Sequence, residues 1–176
     1  MNALDHFSLP YQSMKNGLHT FQFKVDDLFF AAFENSPVQL GDFNVEVQLD
    51  KRPGISELNV MITGEVDAVC DRCLSDIRMP VKSENHILVK VSNRLSNEID
   101  DEVIFVKEDQ SHLNISQIVY EFIVLALPIV NIYNCENDNP RKCNMDVLKK
   151  LVASDEAKET QTVIKTWDSL KNLNLD

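Results

Sequence analysis

Glycine is scarce in this 176-residue chain. Four glycines and six prolines exclude a collagen-like repeat or a linker-dominated segment. None of the glycines has the spacing of a phosphate-cradling loop. Histidine is equally thin: His6, His19, His86 and His112 are scattered, and none has a second histidine four residues on to make a helical metal or acid-base pair. No serine or cysteine nucleophile motif occurs, and the acidic run Glu98-Ile99-Asp100-Asp101-Glu102 lacks the glycine and the spacing of a calcium loop. The expectation is a protein that is not an enzyme and has no small-molecule substrate. Long apolar runs are also missing. The longest, Phe122 to Val130, is about half of what a bilayer-spanning helix needs and contains Pro128. The first residues carry acidic and polar groups where a signal peptide needs a basic end and an apolar run. These features predict a soluble, cytoplasmic chain with no membrane partner. Basic residues are outnumbered, 17 against 28 acidic, so the net charge of -11 repels phosphate backbones and favours basic partners.

What is present is a globular composition, 44% hydrophobic, long enough to bury a core as one domain or one domain with an appendage. From Gly17 to Val25 the apolar residues Leu18, Phe21, Phe23 and Val25 fall mostly on alternate positions, which predicts a strand. Asp26 is a good helix N-cap, and Leu28, Phe29, Ala32 and Phe33 follow at helical spacing. Phe29 and Phe30 are adjacent on this short helix, which leaves two readings open. Either one ring belongs to a partner surface, or the helix is clasped between two layers and buries both. Three alternating runs come next, over residues 38–51, 55–69 and 77–91, with a Pro53-Gly54 turn between the first two, and their order suggests an antiparallel meander. Residues 92–102 read as a solvated acidic loop and Val103–Val106 as a short strand. A longer helix is predicted from Asn114, a candidate N-cap, to Pro128, and its end should be buried on nearly all sides apart from Glu121. An amphipathic segment from Asn144 and a tail around Trp167 predict further helix.

The four cysteines form two local pairs, Cys70 with Cys73 and Cys135 with Cys143. In a reducing compartment they argue for metal binding or inert burial ahead of disulfides. Tetrahedral zinc takes four such ligands, and a Cys-x-x-Cys knuckle supplies two, although the second pair is spaced more widely than usual. A redox dithiol needs a helix start, whereas the residues after Cys73 alternate like a strand. A four-cysteine zinc is closed to water, so the expected metal is structural. Arg72, Arg141 and Lys142 lie in or beside the pairs. They would offset the charge of a zinc tetrathiolate and form a local basic patch, or they are ordinary surface charges. Three cations are too few to hold RNA strongly without further contacts.

The segment Gly64 to Leu74, G-x-V-x-x-x-C-x-R-C-L, and the segment Glu121 to Pro128 ending in "LALP" resemble the YceD family, the large ribosomal RNA subunit accumulation proteins, in the version found in Bacteroidetes-type bacteria. The resemblance covers roughly Tyr11 to Cys143 and extends to the ending "WDSLKNL", which is similar to the family's closing Asp-Pro-Arg-Trp box without its Asp-Pro-Arg. It implies one domain over residues 1–176, with a core over about 11–143 and a helical extension over 144–176. The fold expected is α+β: an antiparallel β-meander or partly closed sheet with a short N-terminal helix, a buried central helix and C-terminal helical segments. The implied role is non-enzymatic support of large-subunit (23S) ribosomal RNA accumulation, with a ribosomal protein or a pre-large-subunit particle as partner. The alternative is direct binding of rRNA by the basic patch at a structural zinc site. After the proline the family carries a His-containing or "GLCPxCG" segment where this chain has "IVNIYNCENDNPRKCN".

Overall fold

The computed structural model describes residues 3–92, 103–135 and 143–151. A 3-10 turn, Ala3–Phe7, leads into β1 (Ser8–Leu9) and then β2 (Gly17–Val25), α1 (Asp27–Ala31), β3 (Gly41–Lys51), β4 (Ile55–Val69) and β5 (Asp76–Val91). After these come β6 (Val103–Val106), β7 (Leu113–Asn114) and α2 (Ser116–Ala126). Residues 145–151 are helical and are labelled α3. The solvated loop expected over 92–102 lies, apart from Ser92, outside the described residues, as does the tail around Trp167. No helix of the described residues is long and apolar enough to cross a membrane.

The fold is α+β around a five-stranded sheet in the order β2-β3-β4-β5-β6, with β1 and β7 forming a separate antiparallel ribbon. β2, β3 and β4 pair antiparallel, and the β3–β4 pairing is the one the order of the runs suggests. The expected all-antiparallel meander gives way at the far edge, where β6 runs parallel to the end of β5, Leu88 opposite Val103. The sheet is therefore mixed. Among the described residues no pairing joins β2 to β6, and partial closure is not seen.

Contacts divide the chain into two compact units, one of Met1–Ala68 with Ile77–Asn131 and the other of Val69–Asp76 with Ile132–Asp176. In the first, alternation on the strands sends Val45, Val47 and Leu49 of β3 and Leu58, Val60 and Ile62 of β4 to one buried face. Gly64 sits opposite Phe43 in this ladder. A Cβ there would fall on the Asp42 carbonyl oxygen and lie 2.7 Å from Phe43 Cα, so the absence of a side chain is what lets the two strands and the Phe43 ring lie together.

Asp26 caps α1 as expected, its Oδ1 accepting from the N–H groups of Leu28 (3.1 Å) and Phe29 (3.2 Å). Asp27 Oδ1 accepts the Gly41 N–H at 3.0 Å and so ties the helix to the start of β3. Both rings of the phenylalanine pair are buried, each 1% exposed. Phe29 packs on Phe7 and Phe33, while Phe30, set edge-on to it, turns to Phe43. Consecutive helical positions diverge by roughly 100°, and here each direction meets a different part of one core, so neither ring is left for a partner.

Asn114 serves α2 from one position before the cap: its Oδ1 accepts from the Ser116 N–H (2.8 Å) and hydroxyl (2.6 Å), and Ile115 is the N-cap. Val119 and Ile123 are buried, and Tyr120 stacks on Phe33 with centroids 4.0 Å apart. The far end of α2 departs from the expected all-round burial, with Leu125 80% exposed.

Phe29→Ala and Phe30→Ala should each lower stability by about 3–5 kcal/mol, as large-to-small changes at fully packed sites do. Gly64→Ala should cost about 1–3 kcal/mol through overpacking against Phe43. Urea unfolding with unchanged m-value checks all three. A loss under 1 kcal/mol at Phe29 or Phe30 would contradict the packing described.

Candidate functional site

All four cysteines belong to the second unit. Cys70 and Cys73 stand in the connection from β4 to β5. There the Cys70 carbonyl accepts the Leu74 N–H at 2.8 Å and the Cys70 N–H donates to the Ser75 carbonyl at 2.9 Å. Leu74 takes a left-handed conformation, φ 57°, to close this turn. Among the unit's described residues the buried side chains are Cys70, Cys73 and Cys135.

Cys70 and Cys73 are free thiols, whereas Cys135 and Cys143 are joined as a disulfide, where the reducing-compartment argument favoured thiols. The Ser75 hydroxyl, followed by the backbone N–H groups of Asn144 and Ser75 and by the Cys70 thiol, directs hydrogen bonds at the Cys73 sulfur. Against the opposing effect of burial they bring its pKa down to about 7. Donors arranged in this way favour an anionic sulfur. Arg72 makes the same point from another side. Its Nη2 lies 3.1 Å from Cys135 Sγ and 4.0 Å from Cys143 Sγ, and its Nε is buried without a hydrogen-bond partner among the described residues. Disulfide sulfur is a poor acceptor, so this guanidinium is better matched to sulfur carrying negative charge.

Of the predicted site residues, Arg72 stands against Cys135 and Cys143, and Cys70 against Cys73. Arg141 and Lys142 lie outside the described residues. As they stand, Cys135 and Cys143 have no thiolate to offer a metal. Among the described residues no group of three or more His, Cys, Asp or Glu side chains is arranged to hold one. The donor set fits zinc only with that disulfide reduced.

A second feature, missed by motif reading but present in the strand alternation, lies on the outward face of the sheet in the first unit. The outward positions of β3 and β4 hold Asp42, Glu46, Asp50, Glu57, Glu65 and Asp67 and no lysine or arginine. Asp42 faces Glu65 directly, and Asp50 faces Glu57, pairings of like charge that weaken a sheet. Each is offset from outside the two strands. Lys24 Nζ lies 3.7 Å from Asp42, Arg78 Nε lies 3.1 Å from Glu65 and 3.6 Å from Asp67, and Arg52 bridges Asp50 and Glu57. Among the described residues six carboxylates thus face three lysine or arginine side chains, with His86 Nε2 3.9 Å from Glu57, and Glu46 accepts a hydrogen bond from the neutral Gln48 amide.

A shallow cleft of about 210 Å³ near Tyr11, Lys51 and Lys107 does not compete as a ligand site. Lys51 Nζ, its most enclosed cation, already donates to the carbonyls of Tyr11 (2.6 Å) and Met14 (2.7 Å) and lies 4.9 Å from the centre of the Tyr11 ring.

Searches of curated proteins and of solved structures gave no match. A family model does match, over residues 58–174, and its description is large ribosomal RNA subunit accumulation protein YceD. The match spans most of the chain and takes in the Gly64 close approach, all four cysteines and α2. The chain belongs to the YceD family.

Proposed function

We propose that this chain is a non-enzymatic, cytoplasmic ribosome-biogenesis factor that supports accumulation of the large-subunit (23S) ribosomal RNA by binding a basic ribosomal protein, free or on a large-subunit precursor. The family membership supports the large-subunit role. The acid-only outward face of β3 and β4 is the observation that carries the choice of partner. Carboxylates held opposite one another raise the local negative potential, and a lysine- or arginine-rich segment relieves that repulsion when it docks. Naked RNA is repelled by the same surface and by the net charge of -11. Of the cations expected to contact RNA, Arg72 is turned to sulfur.

The zinc expectation continues as part of this reading: one structural zinc held by Cys70, Cys73, Cys135 and Cys143 when all four are reduced. Bound there, the metal would cross-link the second unit and leave no open position for catalysis. Chain purified under reducing conditions without chelator should carry one equivalent of zinc and protected thiols. Zinc well below one equivalent, with four freely reacting thiols in folded protein, overturns it.

The partner assignment is checked by titrating the full chain with individual large-subunit ribosomal proteins. Glu46→Lys combined with Glu57→Lys should weaken binding by about tenfold or more while leaving stability within about 1 kcal/mol, since exposed ion pairs contribute little. Undiminished binding by the double variant counts against it. So does salt-sensitive binding of a large-subunit RNA fragment that is abolished by charge reversal at Arg72, Arg141 and Lys142.

A further inference from the structure

We infer that Cys135 and Cys143 form a reversible redox pair and that Arg72 is the positioning residue that stabilises its reduced form. The disulfide and the four-thiol state are then alternative conditions of one unit. The inference is independent of the ribosomal role and of whether zinc is the metal.

Three observations converge on it. The disulfide and the guanidinium are in contact within the second unit, Nη2 lying nearer to Cys135 Sγ than to Cys143 Sγ. Arg72 Nε is buried and, among the described residues, has no hydrogen-bond partner beside the closed disulfide. The two sulfurs also differ in access, since Cys135 is only 3% exposed whereas Cys143 is partly exposed. Exposure directs an incoming thiolate to Cys143, and Arg72 favours Cys135 as the leaving sulfur. Both asymmetries select the same direction of cleavage.

The chemistry is thiol–disulfide exchange with a low-molecular-weight thiol of the glutathione type. Its thiolate attacks Cys143 Sγ, the bond between Cys143 and Cys135 breaks, and the electron pair leaves on Cys135 Sγ beside Arg72. A second small thiol then attacks the mixed disulfide on Cys143 and releases the oxidised small thiol. Two small thiols are oxidised to one disulfide, the protein gains two electrons, and the two protons of the small thiols pass to the protein sulfurs or to solvent. Oxidation is the reverse sequence. The hydrogen bond from Arg72 to an anionic sulfur strengthens as the pair opens, so the disulfide is strained electrostatically in favour of its reduced form.

The test equilibrates the full-length chain, with chelator present, in buffers of graded reduced-to-oxidised glutathione ratio. The disulfide is quantified by alkylation and peptide mapping. Wild type should interconvert reversibly between the Cys135–Cys143 disulfide and free thiols. Arg72→Leu should shift the midpoint about tenfold toward more reducing buffer, the loss of one hydrogen bond to a charged group. Arg72→Lys, which keeps the charge, should fall between them, and Arg72→Gln serves if the leucine variant does not fold. In Cys135→Ser, oxidised glutathione should cap Cys143 readily, whereas in Cys143→Ser it should cap Cys135 slowly. A midpoint unmoved within about twofold in a folded Arg72→Leu or Arg72→Gln protein overturns the role of Arg72. Absence of the Cys135–Cys143 disulfide even in oxidised glutathione alone, or mapping of the bond to Cys70–Cys73, overturns the redox pair.

Discussion

The register of β3 against β4 is the constraint on which the first unit depends, and Gly64 opposite Phe43 is where that register is held. Only a residue without a Cβ allows the Phe43 backbone and ring to come so close. Side chains alternate with a period of two, so a slip by one residue would expose Val45, Val47 and Leu49 and drive Glu46 and Asp50 into the core. The same pairing that buries the apolar set therefore presents the carboxylates. Packing on one face and charge on the other are consequences of a single alignment.

The second unit is built on a different principle. Its described residues bury no large apolar side chain, and their buried groups are three cysteines. The hydrogen bonds directed at Cys73 and the guanidinium beside Cys135 show how such a unit tolerates charge on sulfur. Here the electrostatics of the site and its stability are the same question.

Alternation made β2 to β5 legible in the sequence, and the Asp26 cap made α1 legible, because both signals are local. Strand order is not local: a four-residue run such as Val103–Val106 says that it is extended but not that it will add parallel to β5. Leu125 misled because apolar character counts as burial only when something covers it, and the covering surface is not written in the helix itself. The cysteine spacing offered two local pairs and carried no information about oxidation state, and of these Cys135 and Cys143 are joined as a disulfide. For Arg72 the neighbourhood was legible and the direction of the side chain was not, since the turn alone does not decide which sulfur it meets. The acidic face was legible too, in the polar half of each alternating strand.

The account stands most directly on whether the outward face of β3 and β4 touches a large-subunit protein in a working assembly. Zero-length carboxylate–amine cross-linking of the chain on purified large-subunit precursor particles, followed by peptide mapping, reads this without assuming a partner. Cross-links from Asp42, Glu46, Glu57 or Glu65 to lysines of a large-subunit ribosomal protein are the expected result. Particles that retain the chain yet give protein cross-links only from other carboxylates, with this face unmodified by a partner, would contradict it.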